Sequence, residues 1–239
     1  ARFGVGILDQ SQMKGEYIGA SVEGGKICAP ILRKKVKLTQ GETSFLHVNT
    51  LGYHEIYING RKVGEDVLTP AVSHLSKRSL ILIWLGQGWY KTTTFGAAYE
   101  GPLVKAELDV LRNGKWEVVT KTDGLWYGCE SGYSDTGTWR ALQFGGERVD
   151  GRILPRDLST QALDKMEWIP VVKVNVPYHI TSPQMCEINK IHQILQAVSV
   201  KKLGEGLWLV DMGKVQTGWF EMQMPILPAG HEVIMEYSD

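Results

Sequence analysis

Two Asn-Gly pairs, each set between runs that alternate apolar and polar residues, constrain this chain more than anything else in it. Ile56 and Ile58 alternate with Tyr57 and Asn59, and Gly60 follows at once. Val104, Ala106, Leu108 and Val110 alternate in the same way up to Asn113-Gly114, and Trp116 and Val118 resume the alternation beyond it. A period of two puts one face of a strand in a core and the other in water. Asn and Gly both tolerate positive φ, which a type I′ turn needs at its two central positions. The pattern predicts two β-hairpins in a chain of antiparallel strands. The first stretch continues through Val63, Gly64 and a short apolar step at Val67-Leu68 to Pro70. Proline cannot donate to a ladder, so Pro70 marks where the chain leaves the sheet. On local physics alone, residues 51–70 are a hairpin with no chemistry of its own.

The rest of the chain fills in around these hairpins. Residues 1–30 read as irregular. Residues 31–38, ILRKKVKL, form a strand, and residues 45–49, FLHVN, alternate and are expected to pair with the first hairpin. Residues 79–90, SLILIWLGQGWY, are a continuous apolar run that turns out at GQGWY, which predicts a buried strand. Residues 128–151 read as a long loop, and loops of that length tend to be functional or mobile. Around 154–165 the composition turns polar, which predicts a linker or a short helix. Strands are then expected at 184–191, 207–212, 219–224 and 232–237, with 188–198 ambiguous between strand and helix. The chain stops inside the last of these, which reads as a fragment of a longer protein.

Composition removes several function classes. The 239 residues carry 26 basic and 26 acidic side chains, a formal net charge of zero. That gives no electrostatic case for nucleic acid or an anionic membrane surface, and neither is expected as a partner. No apolar run approaches the ~20 residues of a membrane span. Cys28, Cys129 and Cys186 are odd in number, far apart and without CxxC spacing, so neither a disulfide framework nor a zinc site is expected. His47, His54, His74, His179, His192 and His231 are scattered and read as structural. There is no nucleophile elbow, P-loop, HExxH helix or dinucleotide fingerprint. No cofactor and no metal are implied. Compartment stays open, with periplasmic or extracellular placed ahead of cytoplasmic.

Five motifs, in order, carry a resemblance. Residues 52–70 read G-Y-x-E-x-Y-I-N-G-x-x-V-G-x-x-x-L-x-P; residues 85–90 read L-G-x-G-W-Y; residues 122–126 read T-D-x-x-W. Residues 146–152, GERVDGR, are similar to a G-E-x-Y-D-A-R step, with Val149 and Gly151 departing from it. Residues 211–219, DMGKVQTGW, are similar to D-F-G-x-N-x-x-G-W, with Met212 and Val215 departing. This set resembles the N-terminal β region of bacterial α-L-rhamnosidases, a glycoside hydrolase family. The resemblance implies an all-β chain. A jelly-roll-like (galactose-binding-like) β-sandwich would span residues 31–155 after an irregular segment, 1–30. Part of a second β-sandwich would follow over 165–239. Near Arg78 the chain is shorter than the family pattern by a strand, which points to absent residues there.

The resemblance also bounds the chemistry. Glycosidases work with a pair of carboxylates, and in this family the acid and base lie on an α/α toroid C-terminal to the region present here. No catalytic residue is therefore assigned. The implied partners are a C-terminal catalytic domain of the same polypeptide and a rhamnose-containing glycan. Some relatives bind rhamnose through calcium on this sandwich, but the matching positions fall near Lys26 and Ile27, neither a hard-cation ligand. The candidates for carbohydrate or interdomain contact are Trp89, Tyr90, Glu147, Asp150 and Arg152. Trp89 and Tyr90 could stack on a sugar, or simply close the end of the sandwich. Arg152 held by carboxylates could meet sugar hydroxyls or a neighbouring domain, or simply lock a turn. Three functions stay open: a non-catalytic accessory region, an autonomous carbohydrate-binding module with Trp89, Tyr90 or Tyr133 exposed, and a structural interaction sandwich with those rings buried.

Overall fold

A computed structural model describes residues 10–23, 25–39, 42–64, 78–90, 92–137, 145–181 and 189–237. The chain divides into two compact units, Ala1–Lys190 and Ile191–Asp239. In the first unit the strands are β1 (Tyr17–Gly19), β2 (Ser21–Val22), β3 (Gly25–Lys26), β4 (Ile31–Lys37), β5 (Thr43–Leu51), β6 (Tyr53–Ile58), β7 (Arg61–Lys62) and β8 (Arg78–Gly86). Helix α1 (Thr92–Phe95) follows, then β9 (Leu103–Arg112), β10 (Lys115–Lys121), β11 (Tyr127–Cys129), β12 (Tyr133–Asp135) and β13 (Glu147–Val149). Helix α2 (Thr160–Leu163), β14 (Ile169–Pro170) and β15 (Val172–Val174) complete it.

These strands build two antiparallel sheets. In one, β9 pairs with β5 over its whole length. Its other edge is shared by β10 and, at Val104, by β1, which carries β15 beyond it. The other sheet runs in the order β14-β11-β4-β8-β6-β7. The sheets face each other across one core. Val104, Ala106, Leu108 and Val110 of β9 meet Leu32, Val36, Ile56, Ile58, Ile81, Ile83 and Leu85 from the opposite sheet. The fold is all-β, a two-sheet sandwich.

Both Asn-Gly turns sit where the pattern puts them. Ile58 pairs with Arg61 around Asn59 (φ 51°) and Gly60 (φ 81°), and Arg112 pairs with Lys115 around Asn113 (φ 50°) and Gly114 (φ 74°). Strand β5 differs from expectation. It joins β9 in the opposite sheet rather than the first hairpin. The cause is at Gly52, where the chain leaves β5 and enters β6, changing sheets in one residue. Its φ is 117°, and a side chain there would collide with the Gly86 carbonyl oxygen. Alternation identifies a strand but not its partner.

The continuous apolar run has a direct cause. Strand β8 is covered on both faces. Ile81, Ile83 and Leu85 enter the inter-sheet core. Leu80, Leu82 and Trp84 point the other way, into a second cluster with Ile31, Cys129, Leu158, Leu163, Met166 and Trp168. The polar stretch expected as a linker or short helix thus carries the short helix α2 and lies against the sheet's outer face. Arg33 caps it, its guanidinium 4.0 Å from the centre of the Trp168 ring and 3.1 Å from Asp164. Burial pushes the Cys129 thiol up to about 12. Residues 128–151, read as a loop, contain β11's last two residues and the small hairpin β12–β13. Strands β14 and β15, in the stretch from 165 assigned to a second domain, add to the two sheets of the first unit.

The second unit holds one hairpin among its described residues, β16 (Ser199–Gly204) with β17 (Leu207–Asp211). The strands expected at 219–224 and 232–237 are not present; both stretches are irregular. A strand needs a partner's backbone groups to pair with, and alternation without a partner does not make one. The strand expected at 184–191 falls largely outside the described residues. So do the Val67-Leu68 step, Pro70, Cys186 and nearly all of the shortened stretch that ends at Arg78.

Leu163 is fully buried under the outer face of β8's sheet. Leu163→Ala is expected to lower the unfolding free energy by about 2–5 kcal/mol, read from urea denaturation with an unchanged m-value. An effect under about 0.5 kcal/mol would mean that the cover is not packed on the sheet.

Candidate functional site

Strand β8 carries the chain to Gly86, and the next four residues fold it back. The Tyr90 amide donates to the Gln87 carbonyl at 3.0 Å. The two aromatic residues of this turn separate. Trp89 is 74% exposed, whereas Tyr90 is 3% exposed. Tyr90 stacks on Phe95 with 5.7 Å between ring centres and donates its hydroxyl to the Tyr99 carbonyl at 2.7 Å. Burial raises its phenol above the ordinary range. Gly88 lies on the ring of Tyr53, where an added Cβ would come within 2.9 Å. Tyr53 is itself 41% exposed. The β6–β8 ladder pairs it with Gly86, so Tyr53 and Trp89 reach water at the same end of one sheet.

A cleft adjoins this turn. It has a volume of about 540 Å³, and Ser21, Lys26, Tyr99 and Glu100 are among its lining residues. A smaller cleft of about 340 Å³ shares Ser21, Ala98 and Tyr99 and extends to Lys173 and Asn175. Lys26 links cleft to turn, since its Nζ donates to Gln87 Oε1 at 3.0 Å. Tyr99 braces the wall by donating its hydroxyl to the Ala20 carbonyl, and burial pushes that phenol up to about 12. A hydroxyl, an ammonium and a carboxylate therefore line a cleft that Lys26 ties to the turn carrying an exposed indole. Such a set can hydrogen-bond a hydroxyl-rich ligand while the indole covers the ligand's apolar face.

The charged candidates form a separate, local arrangement. Glu147 opens β13 opposite Asp135 and is exposed. Asp150 lies at the end of the β12–β13 hairpin, its amide donating to the Gly132 carbonyl. Its carboxylate accepts from the Arg152 amide at 3.0 Å, from Arg152 Nε at 2.9 Å and from Nη2 at 2.5 Å. These bonds hold the Asp150 carboxyl far below the usual carboxylate range. The Arg152 side chain is 80% exposed. Among the described residues no hydrogen bond or ion pair joins Glu147 to Arg152. The Glu147 charge acts on Tyr133, whose phenol is raised first by burial and then by that charge. Tyr133 is half-buried and packs edge-on against Trp84 at 5.9 Å.

Lys26, Gln87 and Tyr53 join Trp89 in a way the sequence did not announce. Gln87 and Tyr53 lie inside separate motifs, and a linear sequence does not say that the motifs meet. Lys26 lies in residues 1–30, the stretch read as irregular. Among the described residues, no three His, Cys, Asp or Glu side chains converge so as to hold a metal ion.

Comparison with known proteins gives a consistent result. The family described as the alpha-L-rhamnosidase N-terminal domain matches residues 39–193. An alpha-L-rhamnosidase of Formosa agariphila is 25% identical over 232 aligned residues, which take in 82% of this chain and 23% of that protein. The alpha-L-rhamnosidase structure from Dictyoglumus thermophilum superposes with a TM-score of 0.66 at 19% identity, over 86% of this chain and 26% of that one. The Aspergillus terreus enzyme gives 0.62 at 15% identity, over 84% and 26%. The Streptomyces avermitilis enzyme, solved with L-rhamnose, gives 0.59 at 20% identity, over 78% and 20%. The structures share the fold, and this chain spans about a quarter of the length of such relatives. With the family matched over more than half of its residues, the chain belongs to the alpha-L-rhamnosidase N-terminal domain family.

Proposed function

We propose that this chain is the non-catalytic N-terminal region of an α-L-rhamnosidase, an enzyme that removes terminal α-L-rhamnosyl groups with inversion. In this reading it supports a catalytic domain on the same polypeptide and contacts a rhamnose-containing glycan through Trp89 and the adjoining cleft. The observation that carries the glycan contact is the turn at 86–90. Tyr90 is anchored in the core, and that anchoring presents Trp89 to water beside Lys26 and Gln87. An exposed indole on a rigid support loses little conformational freedom on binding, so its stacking is not offset by ordering. The aligned share of the Formosa agariphila relative, 23% of its length, supports a further domain. Asp150 and Arg152 serve a second contact. Among the described residues Arg152 keeps Nη1 outside its pair with Asp150, a donor for a sugar hydroxyl or an adjacent domain.

Two measurements test this reading. The chain alone is expected to leave p-nitrophenyl α-L-rhamnoside unhydrolysed; turnover by the purified chain would place the catalytic carboxylates within these residues. Titration with L-rhamnose, followed by NMR shifts, is expected to report on the turn. Trp89→Ala should weaken binding about tenfold, ~1.4 kcal/mol, with stability unchanged within about 0.5 kcal/mol. Tyr90→Phe should do the reverse, costing about 1 kcal/mol of stability through the unpaired Tyr99 carbonyl. Equal binding by wild type and Trp89→Ala would remove Trp89 from the site.

A further inference from the structure

One buried titratable group has no part in the reading above. His54 is 8% exposed. It sits on the core-facing side of β6, two residues before Ile56, and pairs across the ladder with Leu85 of β8. Its Nδ1 lies 2.8 Å from Thr50 Oγ1 of β5, while its buried Nε2 has no hydrogen-bond partner among the described residues. His54 and Thr50 therefore clasp each other across Gly52, the residue at which the chain changes sheets. The same corner holds the turn that carries Trp89. Gly52 packs against the Gly86 and Gln87 carbonyls, and the Tyr53 ring lies on Gly88.

We propose that His54 is an acid-sensitive latch on this corner, closed when the imidazole is neutral and released when it takes a second proton. That it governs the presentation of Trp89 to a glycan rests on the proposed function; the latch itself does not. A protonated imidazole needs two acceptors. Thr50 can supply one to Nδ1–H, and among the described residues nothing accepts from Nε2–H. The groups facing the ring give little help. Thr50 on β5 and Leu85 on β8 carry no charge. Glu55, beside it on β6, favours the charged imidazole, but its carboxylate is already bound by the Tyr57 hydroxyl and the Lys62 ammonium. Burial outweighs Glu55 and brings the imidazole from 6.5 down to about 4. Because the closed state binds the proton less well than the open one, closure is at full strength above pH 6.5. It weakens as pH falls towards 4.

Hydrogen exchange of the protein at pH 7 and pH 5, corrected for the intrinsic rate, reads the latch without any sugar. Amides of 50–56 and 86–90 are expected to open roughly 20-fold more at pH 5, while those of the β9–β10 hairpin change little. His54→Gln, which cannot titrate, should abolish the difference. No rise in the wild type, or the same rise in His54→Gln, would overturn the latch. If His54→Gln fails to fold, NMR titration of the wild-type imidazole decides: a midpoint near 4 supports the latch, and one near 6.5 overturns it. Failure of rhamnose to bind at pH 7 would instead sink the glycan reading and leave the latch standing.

Discussion

The structure depends on one strand being apolar on both sides. In β8, Ile81, Ile83 and Leu85 are buried by the facing sheet, and Leu80 and Leu82, with Trp84 half-buried beside them, by the segment that carries α2. A fully buried aliphatic side chain contributes about 1.5–3 kcal/mol, so leaving either face wet would remove much of what holds the sandwich. Two requirements follow. The strand must lie inside its sheet, with β4 and β6 on its edges. A polar-looking stretch from 154 to 168 must return to cover it. The register is fixed by its neighbour β6, whose apolar Ile56 and Ile58 share one face, so that a slip of one residue would turn them away from the inter-sheet core.

That strand also sets the geometry at its end. It delivers Gly86 to the point where Gly52 crosses between sheets, and close packing there leaves no space for a side chain on Gly52. The turn beyond is pinned from inside by Tyr90 on Phe95 and Tyr99. What reaches water is therefore held in a defined place. The exposed indole of Trp89 and the half-exposed ring of Tyr53 are products of core packing rather than of a loose loop.

Much of this was legible in the residues, for reasons that are local. An Asn-Gly pair between alternating runs needs no distant information to make a hairpin, and both turns have the backbone it demands. The run from Ser79 to Trp84 announced burial on both faces, although not what would bury the second. What the sequence withheld was partnership. Residues 45–49 alternate as an edge strand of either sheet would, and their partner lies some sixty residues away in β9. Residues 219–224 and 232–237 alternate equally well and form no strand. At the candidate site, Trp89 and Tyr90 are neighbours in sequence and opposite in fate. The Asp150–Arg152 pair was recognisable, being two residues apart, but the link from Lys26 to Gln87 spans 61 positions and has no linear signature.

Buried polar groups separate structural from adaptable parts of this sandwich. Thr122 is fully buried and fully employed. Its hydroxyl accepts from the Ala106 amide at 3.0 Å and donates to the Glu16 carbonyl at 2.6 Å, tying the first strand's approach to β9. Trp126 is likewise satisfied, its indole N–H donating to the Lys121 carbonyl at 2.8 Å. Such groups add direction to packing and have no reason to respond to solvent conditions. His54 is also buried, though less deeply, and among the described residues it is only half employed. A core histidine with one idle nitrogen is tolerated while neutral and opposed once charged. The difference lies in hydrogen-bond inventory rather than in burial, which is why the proposed acid response falls on His54, at the corner between β5 and β6, rather than on Thr122 or Trp126.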